Sequence, residues 1–272
     1  MRTDAAHRLR AVGGALALLW ALGGPSDAQA SPQERFAAGH AAALTGDAAG
    51  AAAHFVAAAE AGGRDPAVYH ALGNALYRAK QPGRAAAAWR RGLRLAPRDA
   101  DLGANLERVR AASADKLDPP SGPSGAIFWA GLLSVRELAL AGGLGLSAAL
   151  GLLLWAQLRR RPAGLAPVGL GLVGAVLLGS AFVIDDQQDT VFVVVPEVVA
   201  RSALGPDGVE LFSLHEAAEL AVVERSGDSV LVRLPDARKG WLPASAVLST
   251  APSAPFPLAE APAGPQPASS GL

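Results

Sequence analysis

The chain has 272 residues, 51% of them hydrophobic and 18% charged, and its 24 basic and 24 acidic side chains cancel. A net charge of zero offers no basic footprint for nucleic acid. With no cysteine, the chain can have no disulfide, thiol nucleophile, Cys-ligated metal or lipoprotein acyl anchor.

Residues 1–30 read as a signal peptide. Arg2, His7, Arg8 and Arg10 are a basic start, and an apolar run to Leu22 is too short for a comfortable bilayer span. Gly23, Gly24 and Pro25 break that run, and Ala28-Gln29-Ala30 offers a small-x-small cleavage site.

Residues 31–114 are alanine-rich with apolar positions at helical spacing. Compared with itself at an offset of 34 residues, the segment aligns Gly39 with Gly73, Ala51 with Ala85 and Phe55 with Trp89. The small residues would let two helices cross closely, and the aromatic rings would fill the space between hairpins. Leu102, Leu106 and Val109 lie on one face of a predicted closing helix. With Tyr69, Leu72, Gly73, Ala85, Trp89 and Pro97 at these spacings, the segment resembles a tetratricopeptide repeat. The resemblance implies an all-α solenoid whose concave groove binds peptides through His40, Leu44, His70, Asn74, Tyr77 and Arg78.

A linker over 115–133 leads to two apolar segments, 134–158 and 165–184, that read as transmembrane helices. Ser134 and Glu137 match a capping box at the first start. Trp129 and Trp155 stand near the two ends of this span, where amphipathic rings favour the interface. The connection 159–164 carries Arg159, Arg160 and Arg161, while Asp185, Asp186 and Asp189 follow the second span. The excess of arginine assigns that loop to the cytoplasm. Both flanking regions then lie in the periplasm of a bacterial inner membrane, in agreement with the export signal. Small residues recur four apart, at Gly143, Ser147 and Gly151 and at Gly171, Ala175 and Gly179. These faces predict close helix packing in the bilayer.

Residues 188–250 change to short β-branched runs with turn clusters at Gly205-Pro206-Asp207-Gly208 and Gly227-Asp228. With Val199-Ala200-Arg201-Ser202, Leu211 to Glu216 and Gly240-Trp241-Leu242-Pro243, this stretch resembles a bacterial SH3 domain. The resemblance implies a small all-β SH3-like barrel that binds wall peptides or proteins, with Trp241 on the ligand face. Residues 251–272 hold many Pro, Ala and Ser and read as a disordered tail.

No catalytic residue, cofactor or metal set is predicted. Gly169, Gly171 and Gly174 fit a dinucleotide fingerprint as a string, but within a span and without its strand. His215-Glu216 is half of a zinc-protease motif in β-rich sequence. His40, His54 and His70 are expected at the surface of the helices.

The order of parts, from signal and repeats through two spans to a β module, resembles the BatE-like family of bacterial aerotolerance membrane proteins. That resemblance implies a non-enzymatic scaffold with two periplasmic interaction modules, partnered by other Bat-type membrane proteins. A wall-sensing receptor that binds peptidoglycan through the β module is the alternative.

Overall fold

The structure is a computed structural model that describes residues 30–62, 65–120, 132–162, 164–187, 189–204 and 208–258. Residues 1–29, with nearly all of the expected signal peptide, Trp129, Gly205-Pro206-Asp207 and residues 259–272 lie outside the described residues.

Five helices come first: α1 (Pro32–Leu44), α2 (Ala48–Glu60), α3 (Pro66–Arg78), α4 (Pro82–Leu95) and α5 (Ala100–Ala112). Their starts are written in the sequence. Ser31 and Glu34 form a reciprocal capping box, and Asp47, Asp65 and Asp99 each accept a hydrogen bond from the first turn. Each helix packs on the next. The close crossings fall at glycines: a Cβ on Gly39 would lie 2.5 Å from the Phe55 ring, and one on Gly73 2.3 Å from Trp89 Nε1. Phe55, Tyr69, Leu72, Trp89, Leu102 and Leu106 are buried between the helices.

Two longer helices follow, α6 (Val135–Leu158) and α7 (Ala166–Gln187), packed as a hairpin. The Ser134–Glu137 capping box forms at the start of α6. Segments of 24 and 20 residues here, Val135–Leu158 and Ala166–Asp185, have mean hydropathies of 1.9 and 2.2. By length and composition both can cross a membrane. Only 17% and 28% of their apolar stretches are buried, whereas a core helix of a soluble domain would be mostly covered. Leu144, Leu154, Trp155, Leu172 and Phe182 are open on the outer surface.

The seam of this hairpin differs from the one read in sequence. A Cβ on Gly142 would lie 2.8 Å from Gly174 O, and one on Gly174 2.9 Å from Leu146 N. Gly145 also approaches the Gly174 backbone, and Gly171 meets Ala149. Gly143, Gly151 and Gly179 face open space, and Ser147 and Ala175 are exposed. Two small-residue stripes run side by side on α6, and the one containing Gly142 and Gly145 packs against α7.

Seven strands complete the chain: β1 (Thr190–Val193), β2 (Glu197–Arg201), β3 (Glu210–His215), β4 (Glu219–Ser226), β5 (Ser229–Arg233), β6 (Lys239–Pro243) and β7 (Val247–Ser249). They form one sheet in the order β3-β2-β6-β5-β4-β1-β7, with every described pairing antiparallel. Among the described residues no pairing joins β3 to β7, so the sheet is open. The expected SH3-like barrel is therefore incorrect. β1 enters between β4 and β7, and among the described residues no further strand pairs with the outer edges of β3 and β7. Gly240, part of the motif that suggested the barrel, lets β6 pass close to β2. A Cβ there would lie 2.8 Å from Ala200 Cβ.

Strand alternation divides the core. Val191 and Val193 join a cluster with Leu214, Leu220, Val232 and Leu242, while Phe192 joins the helical core with Leu248 and Phe256. Separate from the cluster on one face of the sheet, the other face thus shares an apolar core with the helices. Residues 251–258 are part of it, not a free tail: Phe256 is 3% exposed and Leu258 packs on the same cluster.

Candidate functional site

A cleft of about 300 Å³ opens among α1, α2 and α3. Its floor is apolar, with Phe55, Ala71 and Ala75, and its polar lining is His40, Asn74 and Arg78. The His40 ring meets Phe36 edge-on at 4.5 Å and Phe55 at 5.3 Å. Three of the six predicted groove residues are therefore brought together.

The other three are placed differently. His70 lies behind the cleft in a polar chain. Its Nε2 accepts from Asn74 Nδ2 at 3.4 Å and from Asn105 Nδ2 at 3.3 Å, because an amide nitrogen can only donate. Leu44 is 90% exposed, outside the cleft. Tyr77 tilts against Trp89 at 5.9 Å and lines a separate depression at the junction with the sheet.

Asn105 and Arg108 escaped the sequence reading. Asn105 Nδ2 also donates to Asn74 Oδ1 at 3.4 Å, and Arg108 Nη1 donates to Asn105 Oδ1 at 3.0 Å. The repeat spacing held the signal for Arg108, since His40, Asn74 and Arg108 stand 34 residues apart in turn. The cleft lining contains no carboxylate or hydroxyl. It suits an extended segment that accepts hydrogen bonds and lays a small apolar side chain on Phe55. Among the described residues no group of three His, Asp or Glu is placed to hold a metal.

Trp241 is half-buried on β6 and borders a shallow depression of about 230 Å³ with Val199, Arg201 and Ser229. Arg201, above it, pairs with Glu210 at 3.1 Å.

The helices are fixed to the sheet by charge. Glu219 of β4 is 4% exposed. Arg110 of α5 forms a two-nitrogen ion pair with its Oε2, and Arg90 Nε of α4 lies 3.0 Å from its Oε1 without hydrogen-bond alignment. Burial pulls the Arg110 guanidinium down, but Glu219 and Glu107 outweigh it and hold it above the ordinary value. Arg91 is 2% exposed. It donates to Ser249 O, Ala254 O and Pro255 O at 2.7–3.1 Å and stacks 4.7 Å over Phe256. Desolvation lowers its pKa to about 10, so it stays charged at neutral pH.

Compared with family models, curated proteins and solved structures, the chain matches none. The resemblances to tetratricopeptide repeats, to bacterial SH3 domains and to the BatE-like aerotolerance family are therefore not supported. The residues that suggested them have local explanations. Gly39, Gly73 and Gly240 stand where neighbouring elements need room, a requirement common to many folds. The observed architecture is an all-α bundle joined to an open antiparallel sheet, with an apolar helical hairpin between them in sequence.

Proposed function

We propose that the protein is a membrane-anchored, non-catalytic scaffold whose cleft among α1, α2 and α3 holds an extended segment of another envelope protein. The carrying observation is the hairpin of α6 and α7, whose apolar outer surface is uncovered while α4 contacts one end of it. Arg98 Nη2 reaches Glu137 in the first turn of α6 at 2.7 Å, and Arg94 Nη2 reaches Asp185 in the last turns of α7 at 3.2 Å. The opposite end carries the exposed Arg159, Arg160 and Arg161. Under the positive-inside rule this loop lies in the cytoplasm and the helix–sheet body in the periplasm of a bacterial inner membrane.

Because the chain has no cysteine, single introduced thiols test the arrangement cleanly. Leu44→Cys should react with a membrane-impermeant maleimide in cells whose inner membrane is intact, and Arg160→Cys only after that membrane is opened. The reverse pattern rejects the topology. For the cleft, a photo-crosslinking residue at Ala71 should trap a discrete neighbour in living cells, and Arg78→Ala should abolish the adduct. An adduct indifferent to Arg78→Ala would remove the cleft from the proposal.

A further inference from the structure

A second depression, of about 440 Å³, lies where the helices meet the sheet, within the size range of small-molecule sites. Three segments wall it: the α3–α4 turn with Lys80 and Pro82, the end of α5 with Val109 and Ser113, and the β3–β4 turn with Glu216.

Polar groups around this depression are left without partners. Ser113 Oγ, Gln81 Oε1 and Arg84 Nη1 are buried and make no hydrogen bond. Ser113 lines the depression, Gln81 stands between Lys80 and Pro82, and Arg84 is close enough to Glu216 to feel its charge. Trp89 Nε1 and Glu219 Oε1 are the other unbonded atoms of this kind among the described residues, and Glu219 is already held by two arginines. Of the three only Ser113 lines the depression, and because buried polar atoms are nearly always bonded, its hydroxyl marks a place for an occupant.

The charges narrow its class. Glu216 is partly buried, and one of its oxygens accepts from Gly83 N at 3.1 Å. Burial raises its pKa. Among the described residues neither Glu216 nor Lys80 forms an ion pair within 4.0 Å. The Lys80 cation and the Glu216 carboxylate, whose nearest charge partner Arg84 lies beyond ion-pair distance, therefore border a partly apolar space.

We propose that this depression binds a short peptide with free ends, its ammonium at Glu216, its carboxylate at Lys80, its backbone at Ser113, and small side chains on Pro82 and Val109. A purely anionic ligand would lie beside the Glu216 carboxylate, and a purely cationic one beside the Lys80 ammonium.

Calorimetric titration of the full chain in detergent micelles with L-alanyl-L-alanine tests this. Saturable binding at one site is expected, with none for the same dipeptide acetylated and amidated at its ends. Glu216→Gln keeps an acceptor for Gly83 N and should weaken binding by at least about tenfold. Lys80 has φ of 62°, which asparagine tolerates, so Lys80→Asn should also weaken it about tenfold without disturbing the turn. His54→Ala, exposed on α2 and outside both linings, should leave it unchanged. Absence of saturation up to about 10 mM, equal binding of the blocked dipeptide, or indifference to both variants overturns the proposal. Melting curves of the variants separate lost binding from lost folding, and Lys80→Glu provides a second surface variant of the same sign.

Discussion

Arg91 fastens the segment after β7 to α4, and its replacement should show how much that fastening contributes. Arg91→Met removes the donors to three carbonyls and leaves those partly buried oxygens without them. A loss of about 2–4 kcal/mol is expected, read as a lower thermal unfolding midpoint in micelles. Glu219→Ala strands Arg90 and Arg110 at the helix–sheet interface. Breaking a buried ionic group in this way should cost about 3–5 kcal/mol, more than Arg91→Met. His215 provides a pH-dependent contact. Its Nδ1 lies 2.7 Å from Asp115 Oδ1, and its backbone N donates to Asp115 Oδ2 at 2.7 Å. The hydrogen bond and charge of Asp115, with a smaller contribution from Glu197, raise the imidazole pKa above its ordinary 6.5. Because the folded value is the higher one, the stabilisation is complete below pH 6.5 and is lost as pH rises through the folded value. The difference in melting midpoint between the parent and His215→Gln should therefore shrink steadily on going to alkaline pH. A difference that grows with pH would contradict the pairing.

Among the elements, the hairpin gives the sharpest contrast. On Gly142 a new Cβ meets backbone, 2.8 Å from Gly174 O, whereas on Gly143 it meets nothing within 4 Å. Gly142→Ala should cost about 1–3 kcal/mol through overpacking, while Gly143→Ala should be neutral or slightly stabilising because alanine favours helix. Melting of the two variants in micelles checks the seam. Both helices were legible in their apolar runs, although α7 continues to Gln187, past the expected end at 184. Their rotation was not, because α6 carries two adjacent stripes of small residues, and the choice between them depends on what α7 places opposite. Helical character over 31–114 was likewise legible, through its alanine-rich spacing and the recurrence of Gly39 and Phe55 at Gly73 and Trp89, whereas the caps Ser31, Asp47, Asp65 and Asp99 were not read. Strand positions followed from β-branched runs, but sheet order did not. Short strands of similar composition can pair in several orders, and nothing in Thr190–Val193 announces that β1 lies between β4 and β7.

For the whole molecule, the decisive contacts join parts distant in sequence. Arg90 and Arg110 meet Glu219, and Arg91 meets residues 249–256. Read locally, Arg90 and Arg110 are surface arginines of an alanine-rich bundle, and residues 251–258 are a Pro- and Ala-rich segment that cannot bury itself. Phe256 overcomes that by entering a core supplied by the helices. The helical bundle and the sheet keep separate apolar clusters, and they join where one face of the sheet adds Phe192 and Leu248 to the helical core. Arg90 and Arg94 lie four apart on one face of α4, and Arg98 follows in the turn before α5. They reach in turn Glu219 in the sheet, Asp185 in α7 and Glu137 in α6. Helix and turn together brace the sheet against one end of the hairpin, at Glu137 and Asp185. If the cleft among α1, α2 and α3 holds a partner, a pull on it would be transmitted to that end of the hairpin through these contacts, with no slack tether between.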